Sequence, residues 1–151
     1  MMWKILVAYY SKTGNTKAMA ELIGEGARRL GVEVVVKDVR ELKAEELLNY
    51  DGIILGSPTY YGTMAADVKR LIDESVRFHG KLDGKVGGGN ETTVMDIIKA
   101  MLIHGMVVQG TPKGDHYGPV SVGKPDERSR KLCLEYGERV AKLVKKMTHA
   151  A

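Results

Sequence analysis

Apolar residues in this chain fall in short β-branched runs separated by stretches of helical period. Residues 3–9 alternate loosely and are rich in Ile, Val and Tyr, which predicts a buried parallel strand. From Thr16 to Leu30, the side chains of Met19, Leu22, Ile23, Ala27 and Leu30 share one helical face, and Gly31 follows where a helix terminus is expected. Gly24 and Gly26 weaken that helix and offer close packing on the sheet. Residues 32–36 predict a second strand, 41–49 a short Leu-containing helix, and 51–56 a third strand closed by the Pro58 loop. A helix from Ala65 to Val76 turns Val68, Leu71, Ile72 and Val76 inward. After a loop over 78–84 a strand re-enters at Lys85-Val86. The next helix, capped by Asn90 or Thr92, carries an inward stripe of Val94, Ile97, Ile98, Met101 and Leu102 and ends at His104-Gly105. Met106 to Gln109 predicts another strand and 110–125 a long Gly/Pro/polar loop. The last helix, 126–147, faces inward with Leu132, Cys133, Tyr136, Val140, Leu143, Val144 and Met147.

Strands alternating with helices imply an α/β chain with a mainly parallel sheet, and 151 residues suit one domain, 1–151. Composition changes this picture little: 44% hydrophobic and 28% charged residues are globular values. No apolar run approaches the roughly 20 residues of a membrane span, so no membrane insertion is expected. The N-terminus has no signal-peptide pattern, and the single cysteine, Cys133, gives no internal disulfide; both lead us to expect a cytoplasmic protein. Cys133 reads as a small core hydrophobe. The net charge of +4 comes from Lys and Arg scattered among Glu on helix faces, without a basic run, so nucleic acid is not an expected partner. No His/Cys/Asp/Glu cluster has metal spacing.

The chemistry concentrates in Ser11-Lys12-Thr13-Gly14-Asn15-Thr16, between the first strand and the first helix. Unpaired amides and the positive end of the helix dipole make such a junction an anion site, and the hydroxyls of Ser11, Thr13 and Thr16 add donors. No Gly-Lys-Ser/Thr follows, so a phosphomonoester suits the loop better than a magnesium-bound triphosphate.

Ser-x-Thr-Gly-Asn-Thr after the first strand resembles the phosphate loop of flavodoxins. Gly56-Ser57-Pro58-Thr59-Tyr60-Tyr61-Gly62-Thr63-Met64 resembles the flavin-contacting loop of the flavodoxin-like NAD(P)H:quinone oxidoreductases related to tryptophan-repressor-binding protein. Gly87-Gly88-Gly89-Asn90-Glu91 and His104-Gly105-Met106-Val107-Val108 continue the likeness. The resemblance implies a doubly wound parallel sheet in three α/β/α layers, with FMN outside the carboxyl ends of the strands. It further implies that Ser11 to Thr16 hold the FMN phosphate and that Pro58, Thr59, Tyr60, Tyr61, Gly62 and Thr63 meet the ring. Tyr61 matches the family's aromatic, with Tyr60 as the alternative. Gly87 and Gly88 match the tail of a third flavin loop, or else a flexible linker. His116 and Tyr117 match a segment near the flavin, where His116 either assists proton delivery or has no chemistry. His104 is expected to be structural.

FMN is expected rather than FAD, because no adenine-binding fingerprint is present. The implied activity is electron transfer from NAD(P)H to quinone-type acceptors, in a homo-oligomer (dimer or tetramer). The alternative is a flavodoxin-type carrier serving protein redox partners, against which stands a basic chain where carriers are acidic. A phosphoacceptor receiver module fits poorly, since Tyr9-Tyr10 and Gly56-Ser57 occupy the positions where it needs acidic residues.

The pattern breaks at Val86, where three glycines leave the fourth strand no length. By the resemblance and usual strand and loop lengths, about a dozen residues are absent between Val86 and Gly87. The expectation is therefore a segment missing from the sequence, the rival being a true deletion with a rearranged sheet.

Overall fold

A computed structural model describes residues 2–90 and 93–149. Its five-stranded parallel sheet has the order β2-β1-β3-β6-β7, built from β1 (Lys4–Tyr9), β2 (Glu33–Asp38), β3 (Gly52–Gly56), β6 (Val86–Asn90) and β7 (Val107–Val108). A separate antiparallel hairpin, β4 (Thr59–Tyr60) with β5 (Thr63–Met64), follows β3. The helices are α1 (Asn15–Arg28), α2 (Ala66–Glu74), α3 (Val94–Ile103) and α4 (Glu127–His149).

Alternation along the strands divides the core into two. Ile5, Val7 and Tyr9 of β1 and Ile54 of β3 pack with α1 and α4, whereas Leu6, Ala8, Ile53 and Leu55 pack with α2 and α3. Both faces of the sheet are thus covered, which is why its strands read as continuous apolar runs. Cys133 is fully buried with the α1–α4 group, as expected. The five strands of the main sheet run parallel, so the loops after β1, β3 and β7 share one end of it.

The largest departure from the sequence reading is the fourth strand of the sheet. Val86 to Asn90 pair residue for residue with Gly52 to Gly56, and Val86 and Gly87 pair with Val107 and Val108. The chain runs through Val86–Gly87 as ordinary strand, so the fourth strand finds its length in residues 86–90 and the rearranged sheet is overturned. A ladder needs backbone groups rather than side chains, and here the helices supply the bulk. A Cβ on Gly87 would sit 2.8 Å from Met101 Sδ, one on Gly89 3.0 Å from Ile97 Cγ2, and one on Gly88 3.0 Å from Tyr136 Cζ and inside the radius of its hydroxyl. The triple glycine is therefore where large helix residues meet the sheet backbone, and it is not a linker. The helix cap expected at Thr92 lies outside the described residues.

Smaller corrections concern short helices and helix ends. Residues 41–49 form parts of two 3₁₀ turns, Val39–Glu41 and Ala44–Asn49, in place of an α-helix. Beyond α2 the turn Ser75–Phe78 swings Val76 outward to 69% exposure, and Leu102 near the end of α3 is likewise exposed. Gly24 does pack on the sheet, its Cβ position 2.8 Å from Val36 Cγ2. Gly26 instead faces α4, where a Cβ would overlap the Leu134 carbonyl oxygen, and Gly137 reciprocates against the Ile23 carbonyl. The two helices meet backbone to backbone.

Candidate functional site

The loop after β1 turns into α1 at Gly14, whose φ of 97° is open to glycine and costly to other residues. Gly14 N–H donates to Ser11 Oγ at 3.0 Å, which leaves the Ser11 hydroxyl hydrogen free to point outward. The Gly14 carbonyl already accepts from Ala18 N–H, so the amides of the residues between face the end of the helix without intrahelical acceptors. The first turn of α1 holds no acidic residue, and Lys12 and Lys17 flank it as exposed cations. Lys12, Thr13 and Gly14 are exposed, Asn15 is half-buried and Thr16 is buried. The sequence, with Ser11, Thr13 and Thr16 around one glycine, thus folds into a turn that carries hydroxyls and unpaired amides at the positive end of the helix dipole, with Lys12 and Lys17 beside it.

The β4–β5 hairpin stands beside it. Its central residues, Tyr61 (φ 49°) and Gly62 (φ 80°), both have positive φ, the pattern of a type I′ turn that normally selects Asn-Gly or Gly-Gly. A bulky aromatic held there is strained, at about 1–3 kcal/mol. The ring of Tyr61 is nevertheless fully exposed. Ser57, fully buried, fixes the hairpin base: its hydroxyl donates to the Pro58 carbonyl at 2.8 Å and accepts Ala65 N–H at 2.9 Å. Thr63 Oγ1 donates to Asp96 Oδ2 of α3 at 2.6 Å, so that hydroxyl is committed to the scaffold. Pro58 is half-buried and Thr59 exposed.

Tyr10 connects the two loops. Its N–H donates to the Gly56 carbonyl, its ring meets Tyr60 edge-on at 6.3 Å, and Arg40 lies over it at 5.3 Å. Arg40 in turn bonds Asp38 at 2.7 Å, and that hydrogen bond holds the Asp38 carboxyl below its usual range. Tyr10 and Asp96 are not among the site residues expected from the sequence, and Ser57 enters there only as part of the 56–64 stretch. Tyr10 carries the signal of flanking the first motif, whereas Asp96 has none.

The remaining candidates divide. Gly87 and Gly88 are buried within β6, so they form no loop; their small size serves helix packing. His116 and Tyr117 are exposed on the segment after β7, and the His116 ring is held through Nδ1 to the Thr111 carbonyl at 2.8 Å. His104 is structural, as expected. Ser75 donates its one hydrogen to the Ile72 carbonyl at 2.6 Å, so His104 Nε2 carries the proton it shares with Ser75 Oγ at 2.7 Å. Burial, and secondarily the neighbouring His79, push its pKa down. Among the described residues no group of three or more metal-ligating side chains occurs and no helix is long and apolar enough to cross a membrane. A concavity of about 680 Å³ between α2 and α3 includes Ile72, Ile103 and His104, and none of Ser11 to Thr16 lines it.

Residues 7–96 match the family model described as flavodoxin. An NAD(P)H dehydrogenase (quinone) from Archaeoglobus fulgidus is 33% identical over 190 aligned positions, covering 97% of this chain and all of the relative. A flavodoxin from Aquifex aeolicus is 40% identical over 162 positions, covering 95% of this chain and 88% of the relative. Among solved structures, a flavodoxin from the domain Archaea superposes with a TM-score of 0.80 at 32% identity, covering 94% of this chain and 99% of its own.

Proposed function

This chain belongs to the flavodoxin family, and on that premise we propose that it is an FMN-dependent oxidoreductase passing electrons from NAD(P)H to quinone-type acceptors. One observation carries the reading: an anion-accepting loop at the start of α1 lies beside a hairpin that holds Tyr61 strained and fully exposed. Strain and exposure of an aromatic are both costs in the isolated protein, and an aromatic ring system stacked on Tyr61 offsets both. The relative named NAD(P)H dehydrogenase (quinone), aligned along nearly the whole chain, supports the choice of reaction.

In this reading Ser11, Thr13 and Thr16 donate hydroxyl hydrogens to the FMN phosphate beside the amides of the first helical turn. Lys12 and Lys17 add long-range attraction. Tyr61 is the stacking face and Tyr60, braced by Tyr10, the second wall; backbone groups from Pro58 to Thr63 address the polar edge of the ring. FMN would supply the hydride and electron chemistry, so the polypeptide needs no nucleophile of its own. In this reading Tyr117 and His116, exposed on the segment after β7, approach the flavin, and His116, held through Nδ1 to the Thr111 carbonyl, presents Nε2 to the acceptor. The protein is expected to work in the cytoplasm as a homo-oligomer.

The flavodoxins among the relatives favour a second reading, a carrier shuttling single electrons between redox proteins. Mixing FMN-loaded protein with NADH or NADPH in a stopped-flow spectrometer separates the two. Rapid bleaching of the flavin band followed by reoxidation with a soluble quinone supports the enzyme. Inertness toward both nucleotides, with reduction only through a reductase, supports the carrier. Heat-released cofactor should be FMN, and recovery of FAD would overturn the phosphate-loop assignment.

A further inference from the structure

Among the described residues, the partly buried Lys and Arg side chains have protein partners, with Arg139 the exception. Lys37 donates to Glu46, Arg70 to Glu74 and the Val39 carbonyl, Lys85 to the Leu48 and Tyr50 carbonyls, and Lys145 to the Leu30 carbonyl. Arg139 of α4 makes no hydrogen bond and no ion pair with any described residue, and its Nε is fully shielded. Its contact is with the Tyr136 ring, over which its Cζ lies at 5.1 Å. A guanidinium held in place by stacking, with its donors unused and partly desolvated, carries a cost that an acceptor would remove.

Beside Arg139 a cavity of about 180 Å³ opens between α4 and the 110–125 segment. Lys113, another cation without a bonded carboxylate, stands on its rim. Two carboxylates also line it, and both are engaged elsewhere. Asp115 pairs through Oδ1 with Arg128 and through Oδ2 accepts Val120 N–H at 2.9 Å, while the exposed Glu135 pairs with Lys131 at 3.9 Å. Pro119 and Leu132 add apolar wall opposite the charge. The cavity is smaller than the roughly 300–1,000 Å³ that drug-sized ligands or nucleotides need.

We propose that this cavity is a binding site for a small organic carboxylate, with Arg139 as its anchoring fork and Lys113 as a secondary charge. A planar guanidinium matches a carboxylate with two parallel hydrogen bonds, and the Pro119–Leu132 wall takes the apolar body that inorganic phosphate lacks. Its lining shares no residue with the FMN reading or with the anion loop on α1, although Thr111 also holds the His116 ring.

The test is titration of benzoate into the full-length protein, followed by the arginine Nε–H and backbone amide signals in ¹⁵N-resolved NMR, with inorganic phosphate in parallel. Benzoate should saturate with a millimolar Kd, moving the Arg139 Nε–H and the amides of residues 111–120. Arg139→Gln should weaken binding about tenfold or more, as loss of a charged hydrogen-bond partner does. Arg139→Lys, which keeps charge but loses the fork, should fall between, and Lys113→Gln should cost only severalfold. Tighter binding of phosphate than of benzoate would overturn the organic-carboxylate assignment. Absence of saturation, or shifts confined to the α1 loop, would overturn the site. If Arg139→Gln misfolds, the wild-type Nε–H shift and the Arg139→Lys affinity decide alone.

Discussion

Replacing Gly88 by Ala tests whether the glycine strand is built by the helices around it. The new methyl would lie inside the radius of the Tyr136 hydroxyl and 3.0 Å from Cζ, on a ring that is almost wholly buried. Overpacking of this kind costs about 1–3 kcal/mol. Removing a glycine from a strand interior returns roughly 0.5–1 kcal/mol, so the net loss should be about 1–2 kcal/mol. In a chain of this size that lowers Tm by roughly 2–8 °C. Tyr136→Phe removes the overlapping hydroxyl, so Gly88→Ala should cost less by about 1 kcal/mol or more in that background, a coupling read by urea denaturation of the double-mutant cycle. Gly87→Ala is the control. Its methyl would meet the thioether of Met101 at 2.8 Å and the Met106 Cε at 3.2 Å, flexible side chains that can yield, so it should be markedly milder. Were 86–90 a linker, both substitutions would stabilise slightly through the unfolded state. Equal effects at the two positions, or no coupling to Tyr136, would refute the packing described here.

Tyr61→Asn should relieve the left-handed strain and stabilise flavin-free protein by about 1 kcal/mol, while FMN affinity falls roughly threefold to tenfold through lost stacking; thermal melts and fluorescence titration read the two. Thr16→Ala should weaken FMN roughly tenfold to a hundredfold, as expected for a charged-acceptor hydrogen bond, and an unchanged titration would remove Thr16 from the phosphate site. For His104, burial lowers the pKa in the folded state below its ordinary 6.5, so the unfolded chain binds the proton more readily. Stability from this group is therefore present above pH 6.5 and lost as pH falls below it, and His104→Gln should flatten that part of a urea-midpoint profile. Tyr136 titrates the other way. Burial pushes its phenol up to about 12, so wild-type stability should decline between pH 10 and 12, and Tyr136→Phe should remove that share of the decline.

The layered α/β architecture was legible because most strands carry their own apolar side chains: Ile5 to Tyr9 and Ile53 to Leu55 are buried wherever they point. The fourth strand of the sheet was not legible, since its two faces are furnished by Ile97, Met101 and Tyr136 from elsewhere in the sequence. Periodicity also overran helix ends. Val76 and Leu102 continue their stripes on paper, but one falls in a 3₁₀ turn and the other in the last turn of α3, where the core no longer faces them. At the site, Ser11 to Thr16 were readable because the loop is contiguous. The hairpin was not, because Tyr61-Gly62 lacks the residues a type I′ turn usually selects. Asp96 and Arg139 have meaning only through partners distant in sequence, Thr63 in one case and the 110–125 segment in the other.

The reciprocal glycine contact between α1 and α4 bears on how the protein is made. Helix α1 leaves the ribosome early, with the anion loop at its head, but the surface around Ile23, Gly26 and Ala27 has its counterpart only in α4, which follows every other element in the chain. Until α4 emerges, that face stays wet and nothing fixes the axis of α1 from outside the sheet. A chain translated only as far as α3 is thus unfinished: it contains both loops of the candidate site but not the helix against which α1 is set. Cofactor capture during synthesis should wait for the final helix, and a chain released before it would carry the phosphate-loop sequence without its geometry.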